Sequence, residues 1–277
     1  MQRMNGRFSL HLSSAFILVL VLSWTGVVMA EPKPAAISAF NTYVADVEGR
    51  LKKQHESQKD FLAPADAERL RQGEQIIERV TRPAGSDLPG AMLHHWRGTA
   101  FAPGATAADF QRLMKDFEAY PKVYEPQVTR ARIITNEGVR FQVEMRTRQK
   151  HVITVVMQMA LDATFGRLDE RHGYSLSRST KILEIESPDT PKERALGPEE
   201  NHGFLWRLNT YWSYEERDGG LYMQIESVSL SRSVPPGLAW AIKPFVESVP
   251  RESLEFTLRS TCNAFKKQGI PSPASGL

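Results

Sequence analysis

The sequence predicts an α+β protein, a curved antiparallel sheet wrapped around a long C-terminal helix, with an additional helix at the N-terminus. Three observations carry this. Strand-like segments follow one another from Val128 to Arg232, many with alternating apolar positions. Leu254, Leu258, Thr261, Cys262 and Phe265 then form an apolar stripe at helical spacing, over about Arg251 to Lys267. Ile37, Phe40, Val44, Val47 and Leu51 form another near the start. Strands gathered in one run with a helix at its end imply layered α+β packing.

The first thirty residues carry a targeting pattern. Arg3 and Arg7 form a basic start, no charged residue occurs from Phe8 to Ala30, and Ala15–Leu22 is densely apolar. Val28-Met29-Ala30 then offers a cleavage site, so a secretory signal peptide is expected, with an uncleaved anchor as the alternative. The expected organisation is a signal at 1–30, an N-terminal helical extension at 31–80, a ligand-binding domain at 81–270 and a flexible tail at 271–277. Across 277 residues, 35 Lys+Arg face 32 Asp+Glu, a formal charge of +3. That excludes a disordered acidic chain and argues against a nucleic-acid binder. The lone Cys262 cannot form an internal disulfide, and its helical surroundings mark it as a core residue.

The first amphipathic stripe predicts a helix running to about Lys59, and a second short helix is expected over Asp66–Arg71. Gly73–Val80 and Ala91–Phe101 are strand-like, separated by a turn-rich Pro83–Gly90. Thr106 and Asp109 resemble a capping box for a helix through Phe110, Leu113, Met114 and Phe117, which Tyr120-Pro121 is expected to stop. Asn136-Glu137-Gly138 joins two strands of a hairpin. Ile153, Val155, Met157, Met159 and Leu161 alternate, and so do Trp206, Leu208, Thr210, Trp212 and Tyr214; Asp218-Gly219-Gly220 turns the latter into Leu221–Arg232. Gly237–Glu247 suits a short helix, and Pro250 suits the first turn of the last one. A strongly curved sheet on a long helix is a helix-grip, which can enclose a cavity.

Two segments carry a family resemblance. Thr106–Tyr124, a helix ending in Tyr-Pro before a long hairpin, resembles the opening of START-like domains, in the superfamily of polyketide cyclases and birch-pollen-allergen-like proteins. Ser248–Thr261 resembles their C-terminal gripping helix. The resemblance spans about Ala91–Phe265 and implies a START-like helix-grip with an internal pocket for lipids or other hydrophobic molecules. It indicates fold more strongly than function.

Common catalytic signatures are missing: no GxSxG, HExxH, Walker-A loop, GxGxxG or CxxC occurs. The histidines beyond the expected signal, His55, His94, His95, His151, His172 and His202, lack the spacing of a metal site and are expected at the surface or at strand ends; no cofactor is expected. His94 and His95, adjacent on a strand, point to opposite faces. Phe141, Met145, Met157, Met159, Trp206, Leu208 and Trp212 are expected to line the pocket. Tyr174 and Arg178 on one strand and Glu226 on another are expected to join them. In that reading Arg178 and Glu226 meet inside as a polar anchor; the alternative puts both on the solvated face, with Met223 and Ile225 inward. Ser187–Gly203 is either a lid or portal edge, or a flexible connector. The Arg130–Lys150 hairpin carries six basic residues against two acids; a solvated face is the plain reading and transient contact with an anionic membrane surface the sharper one. The leading expectation is an exported, periplasmic or secreted carrier or sensor of a lipid or hydrophobic small molecule, without enzymatic activity. The alternatives are a cyclase- or dehydratase-like enzyme using Glu226, Tyr174 or Tyr222, and a partner-binding module of the cell envelope.

Overall fold

A computed structural model of the chain describes residues 31–57, 60–81, 88–150, 153–233 and 239–267, the last stretch with side chains from Ser248 onward. The expected signal at 1–30 and the tail at 271–277 lie outside the described residues, as does His151. None of the described helices is long and apolar enough to cross a membrane.

Helix α1 (Pro34–His55) begins with proline in its first turn, where the missing N–H costs nothing, and ends with Lys52, Lys53 and His55 at the negative end of its dipole. The short α2 (Ala67–Arg71) is capped by Asp66, whose side chain accepts from the backbone N–H groups of Glu68 and Arg69. Strands β1 (Ile76–Arg79) and β2 (Ala91–Pro103) follow, then α3 (Ala107–Lys115) with both halves of the Thr106/Asp109 capping box formed. The expected stop at Tyr120-Pro121 is corrected. α3 ends at Lys115 because Asp116 leaves helical geometry and caps a 3₁₀ turn at Phe117–Ala119. Pro121 then sits in the first turn of α4 (Tyr120–Val123).

Strands β3 (Val128–Asn136), β4 (Arg140–Lys150), β5 (Thr154–Arg167), β6 (His172–Glu186), β7 (Arg194–Ala195), β8 (Arg207–Arg217) and β9 (Gly220–Arg232) complete the sheet. Its nine strands are antiparallel in the order β1-β2-β9-β8-β6-β5-β4-β3, with β7 on β6. β1 lies before the expected boundary at residue 80 and is nevertheless an edge strand. The last helix, α5, is continuous from Ala239 to Lys267 and carries Pro250 in its interior, so the expected short helix and later start merge into one.

The sheet has helices on both faces. On the inner face, Leu254, Leu258 and Phe265 of α5 and Phe110, Leu113 and Met114 of α3 pack against Phe141, Val143, Phe165, Trp212, Met223 and Ile225. Gly98 lies under Leu254 and Leu258, and only a residue without Cβ lets the helix approach there. On the outer face, α1 buries Ala36, Phe40, Val44, Val47 and Leu51 against Leu93, Tyr211, Val228 and Leu230. Each fully buried large side chain of that stripe contributes about 1.5–3 kcal/mol, an upper figure because unfolded chains are partly collapsed. Cys262 packs at the edge of the inner core, and burial pushes its thiol up to about 11, which fits a core residue and not a nucleophile.

Candidate functional site

Register decides which side chains share the inner face. Met145 pairs with Met159, which pairs with Ile182; Ser177 pairs with Thr210, Thr210 with Ser227, and Ser227 with Trp96. Phe141 and Trp212 belong to the core packed on α3 and α5. Met157, Met159 and Leu161 form a separate apolar cluster with Met145, Ile182, Leu205 and Leu208. Between the two lies a band of small polar groups: Ser177 and Ser179 on β6, Thr210 on β8, Ser227 and Ser229 on β9, and His94 on β2, whose Nε2 is 3.1 Å from Ser231 Oγ.

This face is incompletely filled. Trp96, Met145, Ser177, Leu208, Thr210 and Ser227 belong to it and all are only half-buried. A floor of serine and threonine between two apolar walls accepts or donates one or two hydrogen bonds while the rest of a bound molecule contacts carbon and sulfur. The serines and Thr210 were legible as strand parity, but nothing in the sequence marked their parity as the inner one.

Three expected site residues lie on the other face and are corrected. Arg178 does not meet Glu226. Its guanidinium pairs with Glu48 of α1, with Nε–Oε1 at 2.9 Å and Nη2–Oε2 at 2.5 Å. Tyr174 stacks on the His55 ring at 4.8 Å between centroids. Glu226 is 1% exposed beneath α1, on the parity of Tyr222 and Val228, while Met223 and Ile225 point inward. The alternative parity is therefore the observed one: Arg178 stays about half exposed at 48%, while α1 covers Glu226. Trp206 is corrected as well. It precedes the first residue of β8, leaves the parity of Leu208 and Trp212, and packs with α1.

The outer face holds a polar cluster that the sequence did not reveal. Around Glu226 lie Arg50, His95 Nε2 at 2.8 Å and Arg97 Nε at 2.9 Å, and the Tyr43 hydroxyl is 2.8 Å from His95 Nδ1. Burial raises the Glu226 pKa, but the His95 and Arg50 hydrogen bonds and the Arg97 charge outweigh it and hold the carboxyl at about 2. His94 and His95 are both buried, at 3% and 2% exposure, which corrects the surface expectation for them; their opposite faces are as expected.

Two further expectations change. Ser187–Gly203 is neither a flexible connector nor a free lid, because it contains β7 and is tied down; Leu196, Pro198 and Asn201 of it edge a cleft. Glu184 accepts from the backbone N–H groups of His202, Gly203 and Phe204, and Arg146 pairs with Glu193. The hairpin's basic excess is about halved: Arg130, Arg146 and Arg148 share Asp189, Arg146 also reaches Glu193, and Arg132 pairs with Glu144 of the hairpin itself.

Fold and site define a helix-grip domain with a partly open inner face and an extra helix on the outer face. Searches with family models find no match. The curated proteins hold no match either. Among solved structures, the chain is similar to a protein from Thermus thermophilus, at 14% identity and TM-score 0.46 over 62% of this chain and 97% of that one. It is similar to a STAR-related lipid transfer protein fragment from Xanthomonas axonopodis, at 13% identity and TM-score 0.42 over 69% and 98%. It is also similar to the Zhui aromatase/cyclase from Streptomyces sp. R1128, at 10% identity and TM-score 0.47 over 67% and 100%. Likenesses this distant carry no argument about activity; the helix-grip assignment rests on the chain's own sheet order and its α5.

Proposed function

We propose that the protein is an exported, non-enzymatic carrier or sensor that holds a lipid or other hydrophobic small molecule between the inner face and α5. The observation that carries this is the half-buried patch of Trp96, Met145, Ser177, Leu208, Thr210 and Ser227 on a face whose surroundings are tightly packed. In a filled core those positions would be closed, because protein interiors pack to crystal-like density. Met145, Met157 and Met159 supply an adaptable wall, and the hydroxyls of Ser177, Thr210 and Ser227 take the ligand's polar atom. The cyclase reading is weaker, since Glu226, Tyr174 and Tyr222 lie on the outer face, out of reach of a molecule bound inside.

Native mass spectrometry of the full chain, expressed with its own N-terminus, tests the reading when combined with lipid extraction. A stoichiometric co-purifying hydrophobic molecule, displaced in the Ser177→Trp variant, is the expected result. An apo mass with no binding across a lipid panel overturns it and favours a partner-binding module.

A further inference from the structure

The β6–β8 ladder ends early. Its last pair is Arg178↔Asn209, yet β6 continues to Glu186 and turns to β7 for its final pairs, Ile185↔Ala195 and Glu186↔Arg194. At the fork, the backbone N–H of Leu208 donates to Ser179 Oγ at 2.9 Å, a side chain replacing the missing ladder bond. A cleft of about 680 Å³ opens there, roofed by the first turns of α1. Its walls come from both faces of the sheet: Ile182 of the inner parity, Trp206 of the outer one, Ile37, Ser38 and Asn41 of α1, and Pro198 across from them. Ile182 lines this cleft and also packs on the cluster of Met157, Met159 and Leu161. Outside space and methionine wall therefore meet at one aliphatic side chain.

We infer that this fork is a lateral portal, through which a hydrophobic ligand reaches the inner face between β6 and β8 under the first two turns of α1. The inference rests on the proposed binding reading and deepens it by naming the route. Ladder hydrogen bonds elsewhere seal a sheet against passage, since opening them exposes buried backbone donors and acceptors. Among the described inner strands, a path where β6 has left β8 breaks no ladder pair and only the single Leu208–Ser179 bond. Ile182 needs only a rotamer change to open, and the apolar Trp206, Ile37 and Leu196 suit a carbon chain in transit. The polar rim of Ser38, Asn41 and Thr42 keeps the mouth wetted.

The test is kinetic. Ser38 and Asn41 are exposed on α1 and line the mouth, so Ser38→Trp and Asn41→Trp fill the portal without touching the inner face. Stopped-flow fluorescence with cis-parinaric acid, on the full chain and both variants, reads the association and dissociation rates. A portal is crossed in both directions, so both rates are expected to fall together by about tenfold while Kd stays constant. Thermal unfolding at an unchanged midpoint certifies that the variants are folded. Unchanged rates in both variants overturn the portal while leaving the binding site standing. A weakened Kd with an unaltered association rate overturns it too, because the molecule then rests in the cleft itself. Failure of the unaltered chain to bind the probe removes the binding reading, and the portal with it.

Discussion

Arg50, on the N-terminal helix, donates to the carboxylate of Glu226 on the far side of the helix–sheet seam, and it shares that oxygen with His95 Nε2. Arg97 takes the other oxygen. One buried acid thus ties α1 to β2 and β9. A carboxylate taken out of water this completely is tolerable only because its neighbours supply both charge and hydrogen bonds.

Glu226→Ala is expected to cost about 3–5 kcal/mol, because Arg97 keeps only the exposed Glu78 and the buried His95 Nε2 loses its hydrogen-bond partner. Arg50→Ala should cost clearly less, since its side chain is 38% exposed and water replaces part of what it gives. Urea denaturation followed by tryptophan fluorescence measures both. Equal losses in the two variants would contradict a hub centred on the acid.

Stability should fall as pH drops from about 6.5 towards 4. His55 packs between Phe61 and Tyr174, with Nε2 at 2.7 Å from Ser213 Oγ. Burial pushes its pKa down to about 4 from 6.5; Glu226 opposes the shift and Arg50 adds to it. A depressed histidine stays neutral when folded, so below 6.5 the unfolded chain binds a proton that the folded one refuses. His55→Gln should flatten the pH dependence of the urea midpoint across that window. The depressed carboxyl of Glu226 adds a second loss from about 4.5 down to 2, which the His55 variant keeps.

Glu184→Ala should loosen the segment between β6 and β8. Its carboxylate, 3% exposed, accepts from three successive backbone donors at 2.9–3.1 Å. Limited proteolysis is expected to cut the variant between residues 187 and 204 well before the unaltered chain. Identical digestion rates would mean that Arg146–Glu193 and β7 hold the segment alone.

Gly98→Val places a branched side chain where Leu254, Leu258 and Ile77 already lie. Overpacking of this kind costs about 1–3 kcal/mol, and the variant should lose thermal stability with its secondary structure intact. A variant as stable as the original would show that α5 can ride higher on the sheet.

The sequence by itself determined the elements and their broad layering. The stripes from Ile37 to Leu51 and from Leu254 to Phe265 specify amphipathic helices, and Thr106 with Asp109 specifies a helix start, because such signals act within a turn or two of chain. Alternation from Met157 to Leu161 and the Asn136-Glu137-Gly138 turn did the same for strands. Boundaries failed where a neighbour overrode a local rule, as at Asp116 and within α5 at Pro250.

Which face looks inward was decided only by the tertiary structure. Period two says that Glu226 travels with Tyr222 and Val228 and that Ser177 travels with Ser175 and Ser179, but it assigns neither set to the inner face. The usual clue is that one face is apolar and the other wet. Here α1 covers the outer face with Phe40, Val44 and Val47, so both faces are buried and the contrast is lost. Arg178 and Glu226 looked like a pair because each needed a partner; the fold gave each a different one, Glu48 to the first and the Arg50, His95 and Arg97 cluster to the second. Those partners lie far away in sequence, two of them on a helix whose docking no local pattern encodes.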